Sequence, residues 1–128
     1  LYEGNGAEMA LEQTSEELVD AVVVNDGQLL LVNVQGGWGL PSGVPEEAET
    51  AQATAARVVY ELTGYLVDGS SLLEPGSAVV CHLLSQDPSG EAQLTAGQLR
   101  WAPFAEAVDI DGGLSAPVRA YLEGHTPV

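Results

Sequence analysis

The stretch from Gln35 to Pro45 holds Gly36, Gly37, Gly39, Pro41, Gly43 and Pro45, and no regular element can run through it. Immediately after it, Glu49–Thr63 contains neither glycine nor proline and is rich in alanine. Its apolar residues Ala51, Ala55, Val58, Val59 and Leu62 recur with a helical period. Gly64 is the expected stop, and Glu46, Glu47 and Glu49 form an acidic lead-in that suits a helix start. A glycine-rich loop feeding one well-bounded helix therefore fixes the middle of the chain.

The flanks read as sheet. Leu18–Val24 and Leu29–Val34 are β-branched, apolar runs around Asn25-Asp26-Gly27, which predicts a β-hairpin. Trp38–Leu40 reads as a brief extended piece within the loop. Tyr65–Val67 reads as a short strand and Ser77–Ser85 as a long central one, with turns at Pro75-Gly76 and Asp87-Pro88-Ser89-Gly90. Ala92–Thr95 and Gln98–Ala102 are further strand expectations. Phe104–Val108 fits one helical turn, and Ser115–Leu122 a final helix with Ser115 as N-cap and Pro117 in its first turn. Residues 1–17 are polar and acidic and read as an arm, with a short helix near Ala7–Gln13; residues 18–128 read as a single domain. The fold class expected is α+β, a mixed sheet sandwiched between helices.

Charge narrows the function classes. The chain has 19 acidic residues against 3 basic ones, all arginine, for a net charge of −16 over 128 residues. Nucleic-acid binding needs clustered Lys and Arg, so that class is excluded. No apolar run is long enough to span a membrane. Cys81 is the single cysteine, which excludes an internal disulfide framework and a Cys-rich zinc site. The chain opens on Leu1, and no leader pattern of a basic start before an apolar run is visible. The compartment is taken as cytoplasmic by default, with an exported origin left open.

The segment Gly37–Tyr65 resembles the Nudix box of the Nudix hydrolase family. Gly43 is followed after five residues by Glu49, and after seven more by Arg57; Val59, Glu61, Gly64 and Tyr65 complete the spacing. Trp38-Gly39-Leu40-Pro41-Ser42-Gly43 is similar to the family's lead-in, and Arg100-Trp101-Ala102-Pro103-Phe104 to a late strand-to-helix step. The resemblance covers residues 18 to 122 and implies the Nudix fold, a diphosphate hydrolase ancestry and a Mg²⁺ cofactor. It also implies that Gly43, Glu49, Arg57 and Gly64 are motif residues with structural roles, Glu49 and Arg57 tying loop to helix by an ion pair.

Two positions depart from the pattern. Val58 and Leu62 stand where the family carries glutamates. Positions three and four apart share one helix face, so the family's face would bear three carboxylates at 58, 61 and 62. Clustered carboxylates suit Mg²⁺, a hard cation that takes oxygen ligands. This chain keeps only Glu61, a candidate metal ligand that also reads as a solvated helix residue. Val58 and Leu62 either extend the core, the favoured reading, or line an apolar groove facing a ligand. Trp38 is a further ligand-facing candidate, and Glu91 a candidate carboxylate from outside the box. His82 reads as a satisfied, partly buried histidine and Cys81 as a small core residue on the opposite sheet face.

These readings lead to a Nudix-fold domain with a degenerate box, impaired in catalysis and acting in ligand binding or regulation. Two alternatives stay open: an unusual metal-dependent hydrolase of a nucleoside diphosphate-linked substrate using Glu46, Glu47 or Glu91, and an acidic module that meets a basic protein partner. The small molecule expected is nucleotide-like, with Mg²⁺ only where activity remains. The oligomeric state is left open.

Overall fold

The computed structural model describes residues 18–125 apart from 35, 75, 86, 89, 90 and 111–113. The arm 1–17 and the helix expected near Ala7–Gln13 lie outside the described residues.

The hairpin forms as the sequence predicts. Strand β1 (Val19–Asn25) turns through Asp26 and Gly27 into β2 (Gln28–Asn33). Both turn residues have positive φ, 56° and 77°, the backbone twist that a two-residue hairpin needs. Two short strands follow in the glycine-rich loop, β3 (Trp38–Gly39) and β4 (Ser42–Gly43). Helix α1 spans Ala51–Thr63. After it come β5 (Val67–Leu73), β6 (Ala78–Leu83), β7 (Leu99–Pro103), the short α2 (Phe104–Ala107) and α3 (Ala116–Gly124).

The sheet runs β3-β2-β1-β6-β5, with β4 added to β1 and β7 to β2. β1 and β6 are parallel, from Asp20 opposite Ala78 to Val24 opposite His82; the other described pairs are antiparallel. The mixed sheet explains the unbroken apolar runs, because its central strands are covered on both faces. Ala21, Val23, Leu30, Val79 and Cys81 pack with Ala55 and Val59 of α1. Val22, Val24, Leu29, Leu31 and Val80 pack on the other side with Phe104 of α2 and with Val118 and Leu122 of α3. The expected sandwich is thus present as two cores separated by one sheet. Cys81 is a core residue as expected, and burial pushes its thiol up to about 12, so it is inert at neutral pH.

Four expectations need correction. Helix α1 starts at Ala51, not Glu49, because Thr50 is its N-cap and accepts a hydrogen bond from the Ala53 N–H at 3.1 Å. The preceding Ala48 has φ 64°, which a helix cannot incorporate. The strand expected at Tyr65–Val67 instead occupies Val67–Leu73, pairing with β6 across a bulge between Gly69 and Ser71. That bulge hid the strand, since it breaks the alternation the sequence would otherwise show. Ala92–Thr95 is not a strand: the N–H groups of Gln93 and Leu94 donate to the carbonyls of Glu61 and Leu62 at 3.0 and 3.1 Å. The segment satisfies carbonyls left open by the end of α1 instead of joining a ladder. His82, on β6, is exposed rather than partly buried. Ser115 does precede α3 with Pro117 in the first turn, but its side chain makes no capping bond.

Candidate functional site

The site grows from the start of α1. Because the helix begins only after Glu49, the Glu49 carboxylate folds back over its first turn. One oxygen accepts from the Glu46 N–H at 2.9 Å and from Arg57 Nη2 at 3.0 Å; the other accepts from Arg57 Nε at 2.9 Å. Arg57 Nη2 also donates to the Val44 carbonyl at 2.9 Å. The guanidinium beside Glu49 holds that carboxyl at about 2, far below its ordinary value. The same contact raises the Arg57 pKa. This bidentate pair, with the Arg57 bond to Val44, links the loop to the helix. Gly64 ends the helix in the left-handed region at φ 81°, its N–H donating to the Tyr60 carbonyl at 2.9 Å.

Gly43 sits on β4 directly against α1. A Cβ built on it would lie 2.5 Å from Val58 Cγ2. Val58 is 5% exposed, so the first of the two substituted positions has become part of the wall between loop and helix. This is the core reading of Val58. Leu62 does something different. It is half-buried and lines an apolar groove of about 470 Å³ with Leu18, Val32, Val34 and Leu40. The backbone of Gly37 and Gly39 and the side of Ser42 complete the lining. Leu18 and Val34 are 52% and 54% exposed at its lip. The two apolar departures therefore divide between the core and a ligand-sized opening.

Glu61 is the remaining carboxylate of that face. It lies 3.3 Å from Arg57 Nη1, four residues earlier on the helix, with its side chain 46% exposed. Glu46 reaches the same nitrogen at 3.9 Å. Glu47 and Glu91 are exposed and make no contact with this network. Among the described residues no group of three or more His, Cys, Asp or Glu side chains is placed to hold a metal ion. The donor set thus does not fit the divalent cation that Nudix hydrolases generally use: one carboxylate is present, it is already paired, and its two neighbours on the face are hydrocarbon.

Trp38 lies apart from this face. It packs against the core beneath α2 and α3 and borders a separate cavity of about 300 Å³ with Arg100, Glu106 and Asp109. Arg100 Nη2 pairs there with Glu106 at 2.9 Å. Trp101 is a packing residue: its indole N–H donates to the Tyr65 hydroxyl at 3.3 Å, and the two rings meet edge to face at 5.7 Å.

The sequence reading missed Asp20. It is the second residue of β1, opposite Ser42 of β4 and Ala78 of β6. Its side chain has no hydrogen-bond or ion-pair partner among the described residues, and burial pushes its carboxyl above the ordinary value. A charge inside an apolar run was the available signal.

Comparison with known proteins places this arrangement. The NUDIX domain profile matches residues 16–121. No curated protein sequence matches the chain. Among solved structures, an ADP-ribose pyrophosphatase from Streptococcus suis superposes with a TM-score of 0.65 at 18% identity, covering 86% of this chain and 91% of that one. A NUDIX hydrolase from Nitrosomonas europaea gives 0.62 at 19% identity over 85% and 86% of the two chains. A MutT NUDIX hydrolase from Burkholderia pseudomallei gives 0.53 at 24% identity over 87% and 98%. At these identities the likeness is one of fold, and the profile match across most of the chain supplies the family: this protein belongs to the NUDIX domain family.

Proposed function

We propose that this Nudix domain has lost divalent-metal hydrolysis and serves as a ligand-binding or regulatory module. One observation carries the reading. The helix face that would present three carboxylates presents Val58 packed on Gly43, Leu62 lining a groove, and Glu61 paired with Arg57. A hydrated cation gains nothing from two aliphatic side chains, and Glu61 would have to leave a guanidinium to meet it. An anionic substrate meets no basic residue among the described residues lining the groove.

The test is a Mg²⁺ and Mn²⁺ titration against nucleoside diphosphate derivatives, beginning with ADP-ribose because one structural neighbour is an ADP-ribose pyrophosphatase. The expected outcome is no metal-dependent turnover in the natural chain, and turnover in the Val58→Glu/Leu62→Glu double variant. Metal-dependent turnover by the natural chain, abolished by Glu61→Ala, would overturn the reading.

A second reading has one observation in its favour. The Gln93 N–H donates to the Glu61 carbonyl, and exposed Glu91 precedes Gln93 by two residues. A carboxylate recruited from that loop would rebuild a metal site with Glu61. Loss of metal-dependent turnover on Glu91→Gln would establish it.

A further inference from the structure

We propose that the groove beside Leu62 binds an uncharged small molecule, an aliphatic body carrying one hydroxyl or carbonyl group, with Ser42 as its polar partner. The proposal rests on the metal-free reading above and names the ligand class of that same site.

The lining sets the body of the ligand. Leu18 just before β1, Val32 of β2, Gly39 of β3, Ser42 of β4 and Leu62 of α1 meet around about 470 Å³, within the range of small-molecule sites. Val32 alternates onto the same sheet face as Leu30, which packs with the α1 residues Ala55 and Val59, so Val32 and Leu62 share one side of the sheet. Ser42 is the one polar side chain among the described lining residues, and Gly37 and Gly39 add backbone alone. Leu18 and Val34 leave more than half of their surface in water at the lip, apolar area that a bound hydrocarbon would cover.

Charge decides against ions of either sign. No charged side chain is among the described residues that line the groove. Glu61, next to Leu62 in sequence, is paired with Arg57, and Arg57 is also held by Glu49. An ammonium or a carboxylate entering here would shed water without meeting a counter-charge. An anion also approaches a protein of net charge −16, and the same charge sets two copies of the chain against each other. A neutral molecule meets none of these costs. Ser42 supplies its polar contact: the residue is half-buried, and its hydroxyl makes no hydrogen bond among the described residues. A hydroxyl donates and accepts, so it serves an alcohol or a ketone.

The test is amide NMR of the intact protein with four matched probes: cyclohexanol, cyclohexane, cyclohexylammonium and cyclohexanecarboxylate. Cyclohexanol should perturb Leu18, Val32, Leu40, Ser42 and Leu62. Both ions should bind about tenfold more weakly or less tightly still. Ser42→Ala should weaken cyclohexanol about three- to tenfold, the scale of one hydrogen bond, and leave cyclohexane unchanged. Leu62→Glu should abolish the cyclohexanol shifts, whereas Tyr60→Glu, an exposed residue of the same helix outside the lining, should keep them. Val34→Asn, at the exposed lip, should weaken cyclohexanol and cyclohexane alike and gives a second variant where Leu62→Glu does not fold. The proposal is overturned by either ion perturbing the same residues as strongly as cyclohexanol. It is also overturned by undiminished cyclohexanol binding in Ser42→Ala or Leu62→Glu, or by shifts confined to the cavity beside Trp38. Occupation of the groove by protein overturns it as well: ligand-free shifts of Leu40 and Leu62 that grow with concentration would reveal a second copy, and NOEs from residues 1–17 to them would reveal the chain's own arm. Absence of cyclohexanol binding together with absence of Mg²⁺-dependent turnover removes this proposal alone; Mg²⁺-dependent turnover removes the reading beneath it.

Discussion

Two carboxylates with opposite shifts show how single residues shape this molecule. Glu49 has a native pKa near 2 against an ordinary 4.5, so the native state holds its ionised form more firmly than the unfolded chain does. Its contribution is complete above about pH 4.5 and is lost as pH falls toward 2. Glu49→Gln should therefore lower Tm at pH 7, with the gap to the natural protein closing on acidification. Asp20 has the reverse sign: its pKa is raised by burial, so its ionised form penalises the fold at neutral pH and the penalty lifts below its ordinary value of 3.8. Asp20→Asn should raise Tm at pH 7 and leave it unchanged at pH 3. Melting curves of the two variants across pH check both signs. Gly43 is a packing residue in the same sense. Gly43→Ala puts a Cβ into Val58 and should cost about 1–3 kcal/mol, and Val58→Ala should recover part of that loss in the double variant. Denaturant titration of the cycle measures the coupling; strict additivity would contradict the contact. The resemblance to the Nudix box implied structural roles for Gly43 and Glu49, but not that Gly43 would meet Val58. Asp20 was not read out of its apolar strand, because register with Ser42 is a property of the sheet.

Helix α1 is where local and tertiary signals divide. Its periodicity, its lack of glycine and proline, and Gly64 at its end were legible in the chain. Its first residue was not, because Glu49 serves the tie to Arg57 and leaves the cap to Thr50. Thr50→Ala should cost about 1 kcal/mol by removing an acceptor for the Ala53 N–H. Chemical denaturation reads that change, and Thr50→Ser should restore most of it. The other end is completed from a distance by the Gln93 and Leu94 N–H groups. Ala92–Thr95 read as a strand in the sequence, yet its backbone donors go to unsatisfied acceptors of a helix some thirty residues earlier. β5 was underestimated for a related reason: most of its length lies on the sheet's edge, where polar residues are tolerated and leave little pattern to read.

At the scale of the whole molecule, charge dominates. With 19 acidic and 3 basic residues, the folded chain repels itself more strongly than the expanded one. NaCl at about 0.5 M shortens the screening length to roughly 4 Å and should raise Tm. Calorimetry at low and high salt checks this, and a Tm that falls would show that ion pairs such as Arg57–Glu49 outweigh the general repulsion. The sequence by itself determined the loop–helix spacing, the hairpin and the apolar strands, and with them an α+β sandwich of one family. Those features depend on neighbours in the chain, whose geometry fixes turns, caps and periodicity. Only the tertiary structure decided that Val58 would close against Gly43 while Leu62, four residues on, would open into a groove. Both are aliphatic and share one helix face; what separates them is whether a distant strand or empty space lies opposite, and no local rule carries that information.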